Sequence, residues 1–406
     1  MLESLGRISA LVFDERALLA FVVDELWETL PQADRAFVML WDAELERFVP
    51  ASARTRSSDK EVGIQVSQTL LRDVLAKKEA ILVSSVSTDQ TYVKSASFAA
   101  LNIQSAICAP MLFQNELFGV IQLDSTGMGM FSREDVSLTM VLAMEVGMAL
   151  AYARVHAKLL ERELIERDLG LARKIQHHFL PPHPPAVPGF AFGVVYEPAL
   201  AVGGDLYDFV ELAGGRVAVA IGDVSGKGVS AALFAAKVIC DLRYQAAGQT
   251  SAAAILHRLN ATLSVGDHEG MFVTLALVVV DPAARRLIVA SAGHPLPLMR
   301  EAKGRVATIG RTGDKPLGLD ESAEFVEYEY EIDPGDGVVL YTDGIIEAIN
   351  PHNELYGEHR LFDVLRPAGQ DAEALVQNIT TSVHAFAAGH PQSDDVTVVC
   401  FKRLLH

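Results

Sequence analysis

The stretch "AVAIGDVSGKG" at residues 218–228 sets an aspartate where an apolar run gives way to a glycine-rich loop. The apolar run predicts a buried strand, and Asp223 follows it directly. Gly226 and Gly228 on either side of Lys227 predict a turn, after which residues 229–247 have a helical pattern. The sequence therefore predicts a carboxylate at a strand end, in a segment rich in strands from about residue 190 onward.

Other strand ends in the same segment also carry aspartate. They are Asp343 in "VVLYTDGIIEA", Asp394 and Asp395 in "PQSDDVTVVCF", and Asp205 and Asp208 in "GGDLYDF". Each one alone is typical of a turn, because Asp and Gly end strands for local reasons. Clustered together, however, carboxylates repel one another and resist desolvation unless a cation joins them. An oxygen-only set of ligands favours the hard ions Mg²⁺ or Mn²⁺.

The first of these acids raises a competing hypothesis. "GGDLYDF" at 203–209 begins like the hairpin of the cyclases that make cyclic di-GMP. Such a cyclase needs its own nucleotide-binding helices, whereas this chain supplies Asp223, Asp343 and Asp394 downstream. A diguanylate cyclase is therefore the less favoured alternative.

A series of motifs in fixed order resembles a known family. The motifs are "GGDLYDF", "GDVSGKGVSAAL", "FVTLALVVVD", "ASAGHPLPL", "DKPLGL", "LYTDGIIEA" and "SDDVTVV". Together with the lead-in "LARKIQHHFLPP", they resemble the SpoIIE-type branch of the PP2C-like (PPM) protein phosphatases over residues 170–403. The resemblance implies an α-β-β-α sandwich of two antiparallel sheets with two metal ions at one end.

The resemblance also implies roles for the acids. Asp223 would bridge two Mn²⁺ or Mg²⁺ ions, the Val224 carbonyl would bind one, and Asp343 and Asp394 would hold the other. Asp205 would support the cluster, and with Asp223 it would be catalytic. A hydroxide activated by both ions would attack phosphorus in line.

Asp208 and Asp395 are weaker candidates for the metal site, and each either supports the ions or only orients a neighbour. Many eukaryotic relatives have a histidine where this chain has Ser225. The sequence therefore does not identify the group that would donate a proton in the reaction. Lys227 either attracts a phosphate or is a solvated loop lysine, and His294 is either a proton shuttle or a hydrogen-bonded loop residue.

Residues 1–150 alternate helical and strand patterns. Residues 11–30 predict an amphipathic helix, "RAFVMLWD" a strand, and "QSAICAPMLFQNELFGVIQLDS" a hairpin. Ser132 is predicted to cap the helix that follows. This order resembles a GAF domain, the small sensory fold, which implies a small-molecule ligand or a dimerisation module.

The two predicted domains are joined by a charged helix at residues 150–178. Its apolar stripe suits pairing with one other helix and consists of Leu160, Leu164, Leu171 and Ile175. "LPPHPPAVPG" then ends the helix, because proline lacks the backbone donor. The overall prediction is an α/β multidomain (α+β) chain with a GAF-like domain at 1–150, a linker helix at 151–180 and the phosphatase-like domain at 181–406.

Composition limits the partners and the location. The chain has 406 residues and a net charge of −18, which disfavours nucleic acid and anionic membranes as partners. Three widely spaced cysteines predict reduced core thiols. "MLESLGRISA" lacks the features of a signal peptide, and the apolar run at 138–153 contains Glu145, so we expect a cytoplasmic protein.

These observations favour a sensor-regulated, metal-dependent protein serine/threonine phosphatase. By the resemblance, its substrate would be a phosphorylated regulator of the anti-anti-sigma (STAS) kind, and the chain would form a homodimer through the GAF domain and the linker helix. The alternative from another class is a signalling scaffold whose phosphatase-like domain only binds a partner.

Overall fold

The structure is a computed structural model whose described residues are 2–56, 66–89, 91–92, 94–127, 130–265, 270–311, 315–367 and 369–405. Asp314, which opens the predicted "DKPLGL" motif, lies outside these ranges. By its internal contacts the chain divides between Leu164 and Ile165 into two compact units.

The first unit is one antiparallel sheet with helices on both faces. Its helices are α1 (Leu2–Ala10), α2 (Glu15–Thr29), α3 (Gln68–Lys77), α4 (Ala96–Ala100) and the first part of α5 (Arg133–Phe179). Its strands are β1 (Arg35–Asp42), β2 (Arg47–Thr55), β3 (Ile81–Val83), β4 (Ser105–Phe113) and β5 (Glu116–Ser125). The strand order is β2-β1-β5-β4-β3.

The two faces of this sheet have separate apolar cores. One core joins α1, α2 and the start of α5 to residues such as Val38 and Ile121. The other joins α3 and α4 to neighbours on the opposite face, such as Met39 and Val120. Successive residues of a strand point to opposite faces, so one strand contributes to both cores.

Residues that favour turns and helix caps lie where these elements begin or connect, as expected. The β4–β5 hairpin turns at Gln114 and Asn115, both at positive φ. The Ser132 hydroxyl accepts the backbone N–H of Asp135, whose carboxylate in turn accepts the N–H of Ser132. This reciprocal pair satisfies N–H groups that the first turn of a helix leaves open. The predicted helix at 11–30 is shorter, because Asp14 caps it at Ala17.

The expected linker is not a separate helix. Residues 150–178 continue the helix that begins at Arg133, and α5 is 47 residues long. By length and composition alone this helix could cross a membrane, because its most apolar window of residues has a mean hydropathy of 1.7. Almost half of that window is buried in the protein, where Leu142 and Val146 pack against the sheet. Core packing therefore accounts for part of its hydropathy.

The second unit is a sandwich of two five-stranded antiparallel sheets. The first sheet has the order β13-β10-β9-β8-β7 and the second β12-β11-β14-β15-β6. The strands are β6 (Phe190–Glu197), β7 (Leu206–Leu212), β8 (Arg216–Val224), β9 (Val273–Asp281), β10 (Arg286–Ala292), β11 (Leu298–Arg300), β12 (Val306–Thr308), β13 (Tyr328–Glu331), β14 (Gly337–Tyr341) and β15 (Val396–Arg403).

Helices cover the outer faces of both sheets. They are α6 (Val229–Ala246), α7 (Ala252–Leu263), α8 (Asp343–Ile346), α9 (Gly357–Leu365) and α10 (Ala372–Ala387). Strand β14 shows how the layers are built: Val338 and Leu340 enter the core between the sheets, while Val339 and Tyr341 enter the core under α9 and α10. The predicted α-β-β-α layering is confirmed.

Several features of this unit were not anticipated from the sequence. The short strands β11, β12 and β13 have three or four residues each, too few to show a periodic pattern. Among the cysteines, Cys108 and Cys400 are buried as expected, but Cys240 is exposed on α6. A helical position can face solvent even within an apolar segment, because the period of burial is 3.6 residues.

Candidate metal centre

Strand pairing brings the predicted acids to one end of the sandwich. Strands β7 and β8 are antiparallel, so Asp205, just before β7, lies beside the end of β8 that carries Asp223. Strands β14 and β15 are antiparallel too, so Asp343, just after β14, lies beside Asp394 and Asp395, just before β15. Each sheet thus places aspartates at the same edge, although they are up to 190 residues apart in sequence.

Asp395 holds this edge together through backbone amides. One of its carboxylate oxygens accepts the N–H of Gly204 at 2.6 Å and of Asp205 at 3.2 Å, and the other accepts the N–H of Ala199 at 2.8 Å. A carboxylate that accepts several N–H groups is a strong structural anchor. Asp395 therefore positions the segment before β7, in line with the expectation that it orients a neighbour.

Asp205 is buried and held from the opposite sheet. Its Oδ2 accepts the hydroxyls of Thr342 at 2.8 Å and Thr397 at 2.5 Å. Burial raises the pKa of Asp205 well above its usual range, and the nearby charges of Asp223 and Asp395 raise it further. The two threonine hydroxyls oppose this shift, since they donate to the charged form.

The remaining acids also act on one another. Burial, followed by the charges of Asp343, Asp394 and Asp395, raises the pKa of Asp223 to about 7. Burial and Asp394 likewise raise the pKa of Asp343. Carboxylates raise one another's pKa in this way only when they lie close together, so the acids form one electrostatic cluster.

Glu347 belongs to the cluster and was missed in the sequence. Burial and then the charges of Asp343 and Asp394 raise the pKa of Glu347. It follows Asp343 by four residues, and its backbone N–H bonds to the Asp343 carbonyl. That i,i+4 spacing in "DGIIE" was the available signal, because residues four apart share a helix face.

Lys227 brings a positive charge to this edge. Its ammonium donates to the Ser393 carbonyl at 2.6 Å and to Asp394 Oδ2 at 3.0 Å. Its positive charge opposes the raised pKa of Asp223 and of Asp343. The lysine is thus engaged with the acids, unlike a lysine that is only solvated.

Glycines allow the backbone to come this close. A Cβ on Gly203 would lie 2.4 Å from Asp395 Oδ2, and one on Gly344 would overlap the Asp395 carbonyl oxygen. A Cβ on Gly204 would lie 3.0 Å from the Val224 carbonyl oxygen, which places that oxygen at the same edge. The glycines of "GGDLYDF" and "TDGIIEA" are therefore required by packing around the acids.

Asp208 lies elsewhere. Its carboxylate is buried and accepts two hydrogen bonds from the Arg243 guanidinium of α6, at 2.7 and 3.0 Å. Arg243 also donates to the Phe179 carbonyl at the end of α5. Asp208 and Arg243 therefore join β7, α6 and the end of α5. Asp205, three residues earlier, belongs to the acidic cluster instead.

The end of α5 reaches the same edge through Gln176. Its side-chain amide donates to the Gly203 carbonyl at 2.6 Å and accepts the Gly203 N–H at 3.2 Å. This two-way contact pairs a buried glutamine with the segment that carries Asp205. Displacement of this turn of α5 would break both hydrogen bonds.

His294, the other candidate from the sequence, and Ser225, which stands where many relatives have a histidine, both have structural contacts. His294 is buried, its Nδ1 lies 2.8 Å from the Thr274 hydroxyl, and burial lowers its pKa to about 3. It is therefore neutral near pH 7 and carries no proton to donate as an imidazolium. Ser225 bonds to the backbone of Phe272, which fixes the loop after Asp223.

Family profiles match both halves of the chain. The GAF domain profile matches residues 14–150, and the profile of Stage II sporulation protein E (SpoIIE) matches residues 213–404. A GAF domain is followed here by a SpoIIE-type domain. The resemblance drawn from the motifs is confirmed, and the two profiles favour it over the diguanylate cyclase alternative.

Individual relatives extend the comparison. The chain is 28% identical over 263 residues to Protein IcfG of Synechocystis sp., and 28% identical over 235 residues to Phosphoserine phosphatase RsbP of Bacillus subtilis. These matches cover 58% and 57% of this chain but only 41% and 56% of the two relatives. The chain thus spans about half the length of the curated relatives that it matches.

A solved structure confirms the fold of the SpoIIE-type domain. The SiaA-PP2C domain of Pseudomonas aeruginosa is 24% identical, with a TM-score of 0.55, and the match covers 60% of this chain and 98% of that domain. The second unit therefore has a PP2C-like fold. The acidic edge lies at one end of that fold.

The donor set of the SpoIIE-type domain fits a hard cation. Its oxygens are carboxylates and the Val224 carbonyl, the ligands that Mg²⁺ and Mn²⁺ prefer. Among the described residues, no three carboxylate, imidazole or thiolate groups already surround one point closely enough to bind an ion. The acids nevertheless repel one another, and a divalent cation would offset that repulsion.

The contact with Arg243 generates a prediction for Asp208. We expect Asp208→Asn to lower the free energy of unfolding by about 2 kcal/mol, because the arginine loses a charged acceptor. Mn²⁺ affinity should stay unchanged, since both oxygens of this carboxylate accept hydrogen bonds from Arg243. Urea denaturation and Mn²⁺ titration measure the two effects. Asp241→Asn, which breaks only the surface pair with Lys237, is the matched control. A loss of Mn²⁺ affinity at unchanged stability would instead place Asp208 among the ligands.

The pKa of Asp223 generates a second prediction. Because folding raises this pKa to about 7, the stability that the group contributes is fully present below its unfolded pKa and is lost as the pH rises through 7. Metal-free protein should lose on the order of 2 kcal/mol from this group between pH 5 and 8. Mn²⁺ should restore stability most at pH 8, where it no longer competes with protons.

Thermal denaturation in EDTA and in Mn²⁺ across this pH range provides the measurement. Asp223→Asn is the control, since it keeps the shape of the side chain but cannot titrate. Its melting temperature in EDTA should vary less with pH than that of the parent chain. A parent chain whose metal-free stability rises from pH 6 to 8 would contradict the charge repulsion described above.

Proposed function

We propose that the chain is a metal-dependent protein serine/threonine phosphatase of the PPM type, controlled by its GAF domain. The observation that carries the proposal is the cluster of Asp205, Asp223, Asp343 and Asp394 at one edge of a PP2C-like sandwich. Buried acids that repel one another are costly to a fold and are typical of functional sites. The match to a protein named as a phosphoserine phosphatase supports the same activity.

The residues of this edge would hold two Mn²⁺ or Mg²⁺ ions. Asp223 would contact both ions, the Val224 carbonyl one of them, and Asp343 and Asp394 the other. When bound, the two cations supply charge neutralisation on the phosphoryl oxygens and lower the pKa of water.

The chain itself contributes position and charge balance. Asp205, held by the hydroxyls of Thr342 and Thr397, would support the ligands directly or through water. Asp395 would act only through the backbone amides that it accepts. Because these groups are fixed before substrate arrives, little reorganisation is needed in the reaction.

Hydrolysis of p-nitrophenyl phosphate with Mn²⁺ tests the proposal. We expect activity that requires the metal and falls at least about a hundredfold in Asp223→Asn, because the shared ligand loses its charge. Asp241→Asn, at a half-buried position of α6 where the partner is Lys237, is the control and should retain full activity. Hydrolysis that is independent of Mn²⁺ or unaltered in Asp223→Asn would reject the site. A chain without activity on any phosphoprotein would favour the scaffold hypothesis.

The natural substrate is proposed to be a phosphorylated regulatory protein, of the STAS kind that the family resemblance implies. The SpoIIE profile and the match to RsbP support this choice. The net charge of −18 disfavours nucleic acid and anionic membranes as partners, and we propose a cytoplasmic location. The GAF domain is the proposed site of a small-molecule signal.

Regulation is proposed to run through α5. Its last turns contact the segment before Asp205 by way of Gln176, so a shift of the helix would move an acid of the cluster. A signal acts in this way only if it favours one arrangement of the helix over another. We propose that residues 1–150 provide this bias and residues 151–180 transmit it.

The proposed homodimer is supported by an apolar surface on α5. Its exposed side chains, at spacings of three or four residues, are Met144, Met148, Tyr152, Val155 and Leu159. The linker stripe Leu160, Leu164, Leu171 and Ile175 is exposed as well. Such continuous apolar surface on a long helix is typical of pairing with a second helix.

A charge on this surface tests the dimer. We expect Leu159→Glu to convert a dimer into a monomer at micromolar concentration, because two helices would bring like charges together. Light scattering after size exclusion measures the mass, and the Mn²⁺-dependent rate shows whether pairing controls activity. Leu404→Glu is the control, because Leu404 is also an exposed apolar residue but lies outside α5. A parent chain that is monomeric at all concentrations would exclude the homodimer.

A further inference from the structure

A pocket next to the acidic edge has no part in the metal-binding proposal. It has a volume of about 60 Å³ and lies between α8, α10 and the loop that leads into β15. Two of its lining residues are chain neighbours of proposed metal ligands, because Gly344 follows Asp343 and Ser393 precedes Asp394. Consecutive Cα atoms are only about 3.8 Å apart, so the wall of the pocket adjoins the acids.

The helical turn of α8 places acids and pocket residues side by side. Asp343 and Glu347 belong to the acidic cluster, whereas Gly344 and Ala348, each one residue later, line the pocket. Residues four apart share a helix face, and the next residue lies about 100° further round the axis. The same turn thus serves the acids with one pair of residues and the pocket with the next.

The pocket has an apolar floor and a polar rim. Val383 and Val396 are buried and belong to the core under α9 and α10. His384 and Gln392 are exposed, and both bond to Glu197, through its carboxylate and its backbone carbonyl respectively, each at 2.8 Å. Concave sites with a mostly apolar lining and a few fixed polar groups are typical of ligand binding.

The volume of the pocket limits its occupant. A buried water needs roughly 10–15 Å³ of such space, so the pocket has room for several waters or for one short aliphatic side chain. An aliphatic group gains more from this site than water does, because the buried lining offers apolar contacts and few hydrogen-bond partners.

A protein substrate would bring such a side chain to the pocket. The residues that flank its phosphorylated serine or threonine must cross the surface around the acids. In an extended chain, residues two apart point to the same side and lie about 6.6 Å apart. A phosphorylated side chain directed at the acids would therefore direct the side chain two residues away into the adjoining surface, where the pocket lies.

We propose that this pocket is a specificity subsite, which binds a short aliphatic side chain two residues away from the phosphorylated residue of the protein substrate. This inference rests on the proposed function. The acids act on the phosphoryl group of any substrate that reaches them, whereas the pocket discriminates between substrates by the polarity and size of one flanking side chain.

Phosphoserine peptides that differ in one residue test the subsite. Valine and threonine have the same shape, but threonine would bury a hydroxyl without a partner. At saturating Mn²⁺, we expect valine two residues from the phosphoserine, on one side of it, to give a kcat/KM about tenfold above that with threonine. The same exchange directly next to the phosphoserine should have little effect, because those side chains point the other way.

Two variants change the size of the pocket in opposite directions. Ala387→Leu fills it from α10 and should bring the valine and threonine peptides to nearly equal kcat/KM. Ile349→Ala enlarges it and should shift the preference from valine to leucine, which fills the added space. Ala283→Leu, in the exposed turn between β9 and β10, is the matched control and should keep the parental preference. The preference is a ratio of two values from one preparation, so a change in the folded fraction does not alter it.

The outcomes separate this inference from the proposed function. A preference for valine that is lost in Ala387→Leu and shifted in Ile349→Ala supports the subsite. Equal kcat/KM for the valine and threonine peptides, or hydrolysis of neither, overturns it, even where Mn²⁺-dependent hydrolysis of p-nitrophenyl phosphate shows an active metal centre. A preference that is unchanged in both variants overturns the assignment to this pocket. If the parent chain hydrolyses neither the peptides nor p-nitrophenyl phosphate, the proposed function fails and this inference fails with it.

Discussion

The SpoIIE-type domain depends on how it accommodates several carboxylates at one end of two packed sheets. Asp205 is buried, Asp223 and Asp343 are partly buried, and their pKa values are raised by burial and by one another. A fold retains such a cluster only when other groups hold it in place or neutralise it. Here the threonine hydroxyls, the backbone amides on Asp395 and the ammonium of Lys227 share that task.

The two sheets have different parts in this arrangement. The first sheet presents Asp205 and Asp223 through the β7–β8 pair, and the second presents Asp343, Asp394 and Asp395 through β14 and β15. Hydrogen bonds from Thr342 and Thr397 to Asp205 cross from one sheet to the other. The acids thus lie where the two sheets meet, and the packing between the sheets sets the distances between their side chains.

The SpoIIE-type domain also connects this edge to the helix that precedes it. Gln176 binds the backbone of Gly203, and Arg243 joins Asp208 to the end of α5. The two aspartates of the motif "GGDLYDF" therefore have different structural roles. Asp205 belongs to the site, whereas Asp208 secures the helix that would carry a signal to it.

The sequence by itself determined the architecture and singled out the acids of a candidate site. Apolar runs of strand length located β8, β9, β14 and β15, and the residues that end those runs identified Asp223, Asp343 and Asp394. This succeeded because strand periodicity and turn chemistry are local properties of the chain. The same local signals indicated the hairpin of the GAF domain and the cap at Ser132.

Only the tertiary structure decided what each side chain contacts. The sequence could not separate Asp205 from Asp208, show that Asp395 binds amides, or pair Lys227 with Asp394, because these partners are up to 196 residues apart. It also could not join the linker to the preceding helix, since no break in the pattern distinguishes one long helix from two. Long-range hydrogen bonds and burial depend on how the sheets pack, and that packing is a property of the whole domain.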